Sequence, residues 1–166
     1  MAEPRIFPRL VPSPLWGVGL RSDKTVPWRA ISSRMRGLAG HRCEICGGSS
    51  EGAPSIWKTC CDEVWAYDHE HRTAYLVDLR VLCWWCNAVT HYGFTVVTSL
   101  PHTIQAVLEH GARLNGLPVD DMHKICALHR HHHAEASRHT DWTIDWDDWQ
   151  AVFVEAQARL QATSPS

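Results

Sequence analysis

The sequence lacks any apolar run that approaches the roughly 18–20 residues needed to span a membrane. No apolar segment follows the first five residues, which excludes a secretory signal, and no internal repeat is present. Disorder of the whole chain is also excluded, because 45% of the residues are hydrophobic and only 20% are charged. These absences predict a cytoplasmic protein with one sizeable core, or a small domain with appendages.

Seven cysteines are present in 166 residues. In a reducing compartment they indicate metal ligands or reactive thiols before disulfides. Two Cys-x2-Cys pairs stand out, Cys43/Cys46 and Cys83/Cys86. Each pair is typical of a tight knuckle, and two knuckles supply four thiolates to one tetrahedral Zn²⁺. We predict a structural zinc site that has no open position for a substrate, the alternatives being chance spacing or a redox pair.

The remaining cysteines and the histidines need separate interpretations. Cys60 and Cys61 are adjacent on a predicted strand and face opposite sides, so buried free thiols are expected there. On a predicted helix, Cys126, His129 and His133 share one face. That face is either a second metal site or a polar surface rich in imidazole, and the second interpretation is favoured.

Charge is distributed unevenly along the chain. Residues 1–42 contain eight lysines and arginines against two acidic residues, whereas the whole chain has a net charge of −2. A basic arm of this kind can neutralise phosphates, although it can also be no more than a solvated surface. The residues assigned to nucleic-acid binding are Arg29, Arg34, Arg36 and Arg42.

The hydrophobic spacing predicts an α+β protein with three parts. These are an extended basic arm (1–27), a zinc-braced ββα unit (28–95) and a helical extension packed on it (96–166). Within the unit we expect a helix over 28–38, strands over 56–61 and 73–77, and a helix from 83 to about 91. Three further helices are expected over 104–114, 119–137 and 149–160. Tryptophans are expected around zinc (Trp65, Trp84, Trp85) and under the last helix (Trp142, Trp146, Trp149).

Two strands and a helix braced by two knuckles form the layout of the zinc-containing HNH endonucleases. Cys43-Glu-Ile-Cys46-Gly47 resembles the first knuckle of that family. Leu79-Arg-Val-Leu-Cys83-x2-Cys86-Asn87-x3-His91 resembles its second strand end, knuckle and helix. Shorter motifs resemble a group of uncharacterised bacterial and phage proteins of HNH type: Val11-Pro-Ser-Pro-Leu-Trp-Gly17, Glu63-Val-Trp65-x-Tyr67-Asp68, His91-x-Gly93, Leu114-Asn-Gly116 and Trp142-x-Ile144-Asp145.

The resemblance implies hydrolysis of nucleic-acid phosphodiesters at a bound Mg²⁺ or Mn²⁺. Asp62 stands where the family has a first-strand histidine that activates water, and Asp78 stands where it has a middle asparagine. On the helix, Asn87 replaces a histidine and His91 matches one. Asn87 and His91 are spaced i, i+4, so both can face one metal.

Asp62 is the most serious departure from the family pattern. A carboxylate, with a reference pKa near 4 against about 6.5 for imidazole, is a much weaker base. Asp62 could still bind the metal together with Glu63 or the helix residues. A histidine of the connecting loop, His69 or His71, could replace the base.

The leading hypothesis is therefore an HNH-type metal-dependent endonuclease in which Asp62, Asn87 and His91 hold the catalytic metal. Its partner would be nucleic acid, most simply DNA. The alternative is a non-catalytic zinc module that binds nucleic acid or protein on the same scaffold. A third is an assembly protein of a phage or mobile element that uses the fold as a brace. The oligomeric state is left open.

Overall fold

The computed structural model describes residues 6–9 and 11–163. They form an α+β structure of six α-helices and one three-stranded sheet. The elements are α1 (Trp28–Leu38), β1 (Cys60–Asp68), β2 (Thr73–Leu82), α2 (Trp84–Thr90), α3 (Tyr92–Thr98), α4 (Pro101–Asn115), α5 (Val119–Ala136), β3 (Thr143–Asp145) and α6 (Trp149–Thr163). None of the helices formed by these residues has the length and apolar character needed to cross a bilayer.

The sheet has the order β1-β2-β3. β1 and β2 form an antiparallel hairpin, and β3 pairs in parallel with the start of β2 through Thr73↔Thr143. The predicted strand over 56–61 is wrong in position. Ile56 and Trp57 are 90% and 62% exposed in a loop, and the strand runs through the residues that we expected to connect the strands.

A bulge lies in the middle of the hairpin. Pairing passes from Val64↔Asp78 to Trp65↔Leu76, so Val77 has no partner across the ladder. The extra residue reverses the alternation of side chains, and Leu76 and Leu79 therefore face the same core although they are three positions apart. The predicted strand ended at this residue, whereas β2 continues to Leu82.

Two hydrophobic cores lie on opposite faces of the sheet. One contains the knuckle cysteines with α2, α4 and α5, including Leu82, Leu108 and Met122. The other contains α1 and α6, including Met35 and Leu160. Cys60 packs against the first core and Cys61 lies in the second, which confirms that the two thiols face opposite sides.

The predicted helical extension is divided between these cores. α4 packs on α2 and α5 packs on α4, whereas α6 packs on β2 and α1. Trp146 and Trp149 contact the core that holds α6, as predicted. Trp84 and Trp85 pack beside the knuckle cysteines, but Trp65 lies in the opposite core, so its predicted place near zinc is wrong.

The predicted arm (1–27) is described only for residues 6–9 and 11–27; residues 1–5 and 10 lie outside the described part. One 3₁₀ turn, Ser13–Leu15, is the only helical segment in the described residues before α1. Ile6 N–H donates to Asn115 Oδ1 at 3.1 Å, and Arg9 N–H donates to the Thr90 carbonyl at 2.9 Å. Leu15 is also buried, and Leu20 and Val26 lie in the second core, so the arm is fastened to both cores.

Candidate functional site

The four knuckle cysteines converge on one point. The sulfur atoms of Cys43, Cys46, Cys83 and Cys86 all lie within 4.8 Å of one another, and those of Cys46 and Cys83 are 3.6 Å apart. Zn–S bonds of about 2.3 Å in a tetrahedron separate the sulfurs by about 3.8 Å. The cluster therefore has the spacing of a closed zinc site and could hold a structural metal such as zinc.

Backbone geometry builds each knuckle. Gly47 takes a left-handed φ of +71°, which lets the chain turn so that the Gly48 N–H points at Cys46 Sγ, 3.4 Å away. In the second knuckle the Cys86 N–H points at Cys83 Sγ, at 3.5 Å. These amide contacts belong to the tight knuckles that the two Cys-x2-Cys pairs predicted.

The donor set fits a doubly charged cation. Hydrogen bonds with Cys43 and Cys83, together with burial, raise the pKa of the Cys86 thiol, and contact with Cys43 raises the pKa of Cys83 to about 12. The thiols resist ionising together because like charges repel, so four thiolates need a metal to offset their charge. Zn²⁺ held here would supply folding free energy. Cys60, Cys61 and Cys126 are free thiols outside the cluster.

An ionic network ties the first knuckle to the sheet and to α6. Glu44 N–H donates to the Val81 carbonyl, and Glu44 Oε1 accepts from the Val81 N–H at 2.6 Å. Arg159 donates to Glu44 Oε2 at 2.9 Å, to the Leu79 carbonyl at 2.8 Å and to Asp78. Glu44 therefore ties the first knuckle to α6, and Asp78 ties β2 to the same arginine. Asp78 does not line the cavity described next.

A second group of predicted residues meets at a cavity of about 460 Å³, which we call the Asp62 cavity. Asp62 comes from β1, and His91 directly follows α2. His91 Nε2 and Asp62 Oδ1 are 2.8 Å apart. Asn87 lines the same cavity, and its side chain makes no hydrogen bond with any described residue. The structure thus brings the three predicted catalytic residues to the lining of one cavity.

Arg9 of the arm also lines this cavity, and it was not identified as a site residue from the sequence. Its Nη2 lies 2.7 Å from Asp62 Oδ2, and its Nη1 donates to the Glu63 carbonyl at 3.3 Å. Both carboxylate oxygens of Asp62, which is only 2% exposed, are therefore engaged. Burial opposes its ionisation, but the hydrogen bond from His91 and the charges of His91, Arg9 and Arg21 outweigh burial, and the pKa of Asp62 is lowered.

Glu63 also lines the Asp62 cavity, but its carboxylate is engaged by the arm. Its carboxylate accepts from the Arg21 N–H at 3.3 Å and lies against Gly19, where an added Cβ would overlap Oε2. Burial raises the pKa of Glu63, although Arg21 opposes the shift. Glu63 thus packs against the loop of the arm, and a side chain at position 19 would displace either the loop or the Glu63 carboxylate.

The other histidine predictions are corrected by the fold. His69 and His71 lie at the far end of the hairpin, where His71 Nδ1 contacts Asp68 Oδ2 at 2.8 Å. They do not line the Asp62 cavity, so neither can serve as its base. The imidazole that does line it, besides His91, is His133 of α5, which the sequence did not connect with this site.

The face of α5 packs on the arm. His133 stacks on Trp16 with ring centres 5.5 Å apart, and His129 stacks on Phe7 at 5.8 Å. Within residues 6–9 and 11–163, the knuckle cluster is the single group of three or more cysteine, histidine or carboxylate side chains close enough to hold a metal. The possible second metal site at Cys126, His129 and His133 is therefore not formed.

The arginines assigned to nucleic acid divide between two regions. Arg34 donates to Gln157 of α6 at 3.3 Å, and Arg29 is exposed on α1. Arg36 lies over the Trp57 ring, and Arg42 lies beside the first knuckle, where it donates to the Gly47 carbonyl. Arg36 and Arg42 therefore lie near the exposed Trp57 and Lys58.

Comparisons with protein-family models, curated proteins and solved structures find no match for this chain.

Replacing Asp62 by asparagine should lower stability at pH 7 by about 1–3 kcal/mol, since Arg9 and His91 lose a buried charged partner. The folded state holds the Asp62 pKa below its unfolded value near 3.9, so this contribution is present above that value. It is lost as the pH falls through the lower folded pKa. Urea unfolding from pH 2.5 to 7 measures the difference between the two proteins.

The matched control is Asp147→Asn, which changes an exposed carboxylate. It should leave stability within about 0.5 kcal/mol at every pH. If the free energies of unfolding of wild type and Asp62→Asn differ by the same amount from pH 2.5 to 7, the Asp62 carboxylate does not carry the stabilising charge.

Proposed function

We propose that this protein is a metal-dependent nuclease of HNH type, which hydrolyses nucleic-acid phosphodiesters at the Asp62 cavity. One observation carries the proposal: Asp62 of β1 and His91 after α2 meet at 2.8 Å beside the unengaged side chain of Asn87. Neighbouring ligands of an octahedral Mg²⁺ with bonds of about 2.1 Å are about 3 Å apart. Asp62 and His91 therefore have the separation of two ligands of one ion.

Mg²⁺ or Mn²⁺ held by Asp62, Asn87 and His91 would neutralise charge that develops on the phosphate. Arg9 supports the same role, because it lines the cavity and its guanidinium is a group suited to phosphate oxygens. The zinc cluster has the separate, structural role of fixing α2, which starts within the second knuckle.

A second candidate function is a non-catalytic zinc module on the same scaffold. It is favoured by the engagement of both Asp62 oxygens and by the lowered pKa of that carboxyl. His133 does not replace the base, because its Nε2 contacts Ser137 Oγ at 3.3 Å and its ring also bonds the Val11 backbone. In this case the Asp62–Arg9 pair would hold the arm in place.

Nicking of supercoiled plasmid with magnesium, manganese or neither separates the two candidates. We expect weak nicking that requires manganese and is abolished by His91→Ala, since positioned acid–base and metal-binding groups contribute factors of about 10²–10⁴. His132→Ala, at an exposed histidine of α5, is the matched control and should nick like the wild type. If the wild type and both variants are equally silent, the nuclease proposal fails and the module takes its place.

A further inference from the structure

A larger cleft lies beside the first knuckle and shares no lining residue with the Asp62 cavity. Its volume is about 970 Å³, and it separates the segment 40–58 from α4. Trp85, which lines the cleft, donates from Nε1 to the Glu51 carbonyl at 3.0 Å. None of the residues proposed to hold the catalytic metal lines it. We call it the Trp57 cleft after its most exposed aromatic residue.

Trp57 lies in a loop, belongs to neither hydrophobic core and exposes a large ring to solvent. It is 62% exposed, next to Ile56 at 90%. The Arg36 guanidinium lies 5.8 Å from the ring centre, a cation–π contact that orders the ring from one side. The ring is thus held in place while more than half of its surface is open to a ligand.

The cleft is basic in an acidic protein. Arg42, Lys58 and Arg113 line it and Arg36 lies behind Trp57, whereas the acidic lining residues are Glu51 and Glu109. Both acidic side chains already have hydrogen-bond donors: Glu109 accepts from Gln105 at 3.0 Å, and Glu51 accepts from the Ser49 hydroxyl at 3.4 Å. Since the chain as a whole has a net charge of −2, this local excess of positive charge favours an anionic ligand.

We infer that the Trp57 cleft binds single-stranded nucleic acid, with a base stacked on Trp57 and phosphates held by Arg42, Lys58 and Arg113. An aromatic ring beside basic side chains is the combination that binds unpaired strands, because every base has a face to stack and every linkage has a charge. A duplex keeps its bases stacked on one another, so the ring would have nothing to contact.

This inference shares its class of ligand with the proposed function but uses other residues at another site. Binding can therefore be measured without hydrolysis, in buffer without added magnesium or manganese. If the protein does not nick plasmid but binds single strands through Trp57, the nuclease proposal fails and the inference about the cleft stands. If nicking depends on His91 but binding does not depend on Trp57, the inference about the cleft fails and the nuclease proposal stands.

The test is fluorescence anisotropy of labelled 12-nucleotide DNA and RNA strands and of a 12-base-pair duplex. Trp57→Ala in the full-length protein should weaken binding of single strands about tenfold or more, within the range expected for loss of one stacked base. Trp57→Phe should restore most of the affinity. Tyr75→Ala, at an exposed ring of β2 outside the cleft, should change nothing.

Salt dependence tests the binding of phosphates by the basic side chains. The double variant Arg42→Gln/Lys58→Gln should reduce the slope of log affinity against log salt by about 0.7 for each phosphate that is no longer neutralised. Arg130→Gln/Arg138→Gln removes the same charge from exposed positions of α5 and the residues just after it, and should leave the slope unchanged. Equal affinity of Trp57→Ala and wild type, a preference for the duplex, or equal slopes of the two double variants would overturn the inference.

Discussion

Cys86→Ser should abolish folding, and removal of zinc from the wild type by a chelator should unfold it. Zinc bound by four thiolates contributes on the order of 10 kcal/mol, which equals or exceeds the whole stability of a typical domain. The cluster joins the first knuckle, the end of β2 and the start of α2, so its loss releases the hairpin and the first core together. Metal analysis should find one zinc per chain, and circular dichroism should follow the unfolding.

Cys60→Ser is the matched control for this prediction. It makes the same substitution at a half-buried free thiol outside the cluster. This variant should fold and bind one zinc. A well-folded wild type that contains no zinc would refute both the metal site and the ββα interpretation built on it.

Asp62→His should raise manganese-dependent nicking by about 10²-fold, at the low end of what a positioned general base contributes. The β1 backbone already directs this position at His91, so an introduced imidazole would face the proposed metal ligands. The neighbouring Arg9 charge would lower the pKa of that imidazole and keep it neutral at pH 7. Initial rates of plasmid nicking measure the change.

The position is buried, so folding must be checked in the same samples by zinc content and thermal melting. Asp145→His, on the exposed edge of β3, is the control for adding an imidazole and should nick like the wild type. If a folded Asp62→His protein is no more active than the wild type, loss of the base does not explain weak activity. A strongly active wild type would also contradict the prediction, since the site with Asp62 would then need no histidine base at that position.

The sequence predicted those parts of the structure that short spacings determine. The two Cys-x2-Cys pairs met as predicted, and α1 occupies its predicted residues because Ile31 and Met35, one turn apart, are both buried. The hairpin was placed less well. An exposed Ile56-Trp57 pair has the composition of a strand, and the bulge at Val77 interrupts the alternation on which a strand prediction depends.

The Asp62 cavity could be predicted only in part, for a physical reason. Asp62, Asn87 and His91 were identified through a resemblance to HNH motifs, in which their types and spacings recur. Arg9 lies 53 residues before Asp62, and no periodicity or spacing connects an arm arginine with a strand carboxylate. Such a contact depends on how the arm crosses the finished core, which only the fold reveals.

The contacts that fasten the arm join residues that are translated at very different times. Ile6 bonds Asn115, 109 residues later, and Ser13 bonds Ser137. During synthesis at about 5–20 residues per second, the knuckles and the hairpin are complete well before those partners leave the ribosome. Ile6 and Ser13 are therefore translated several seconds before the side chains that bind them.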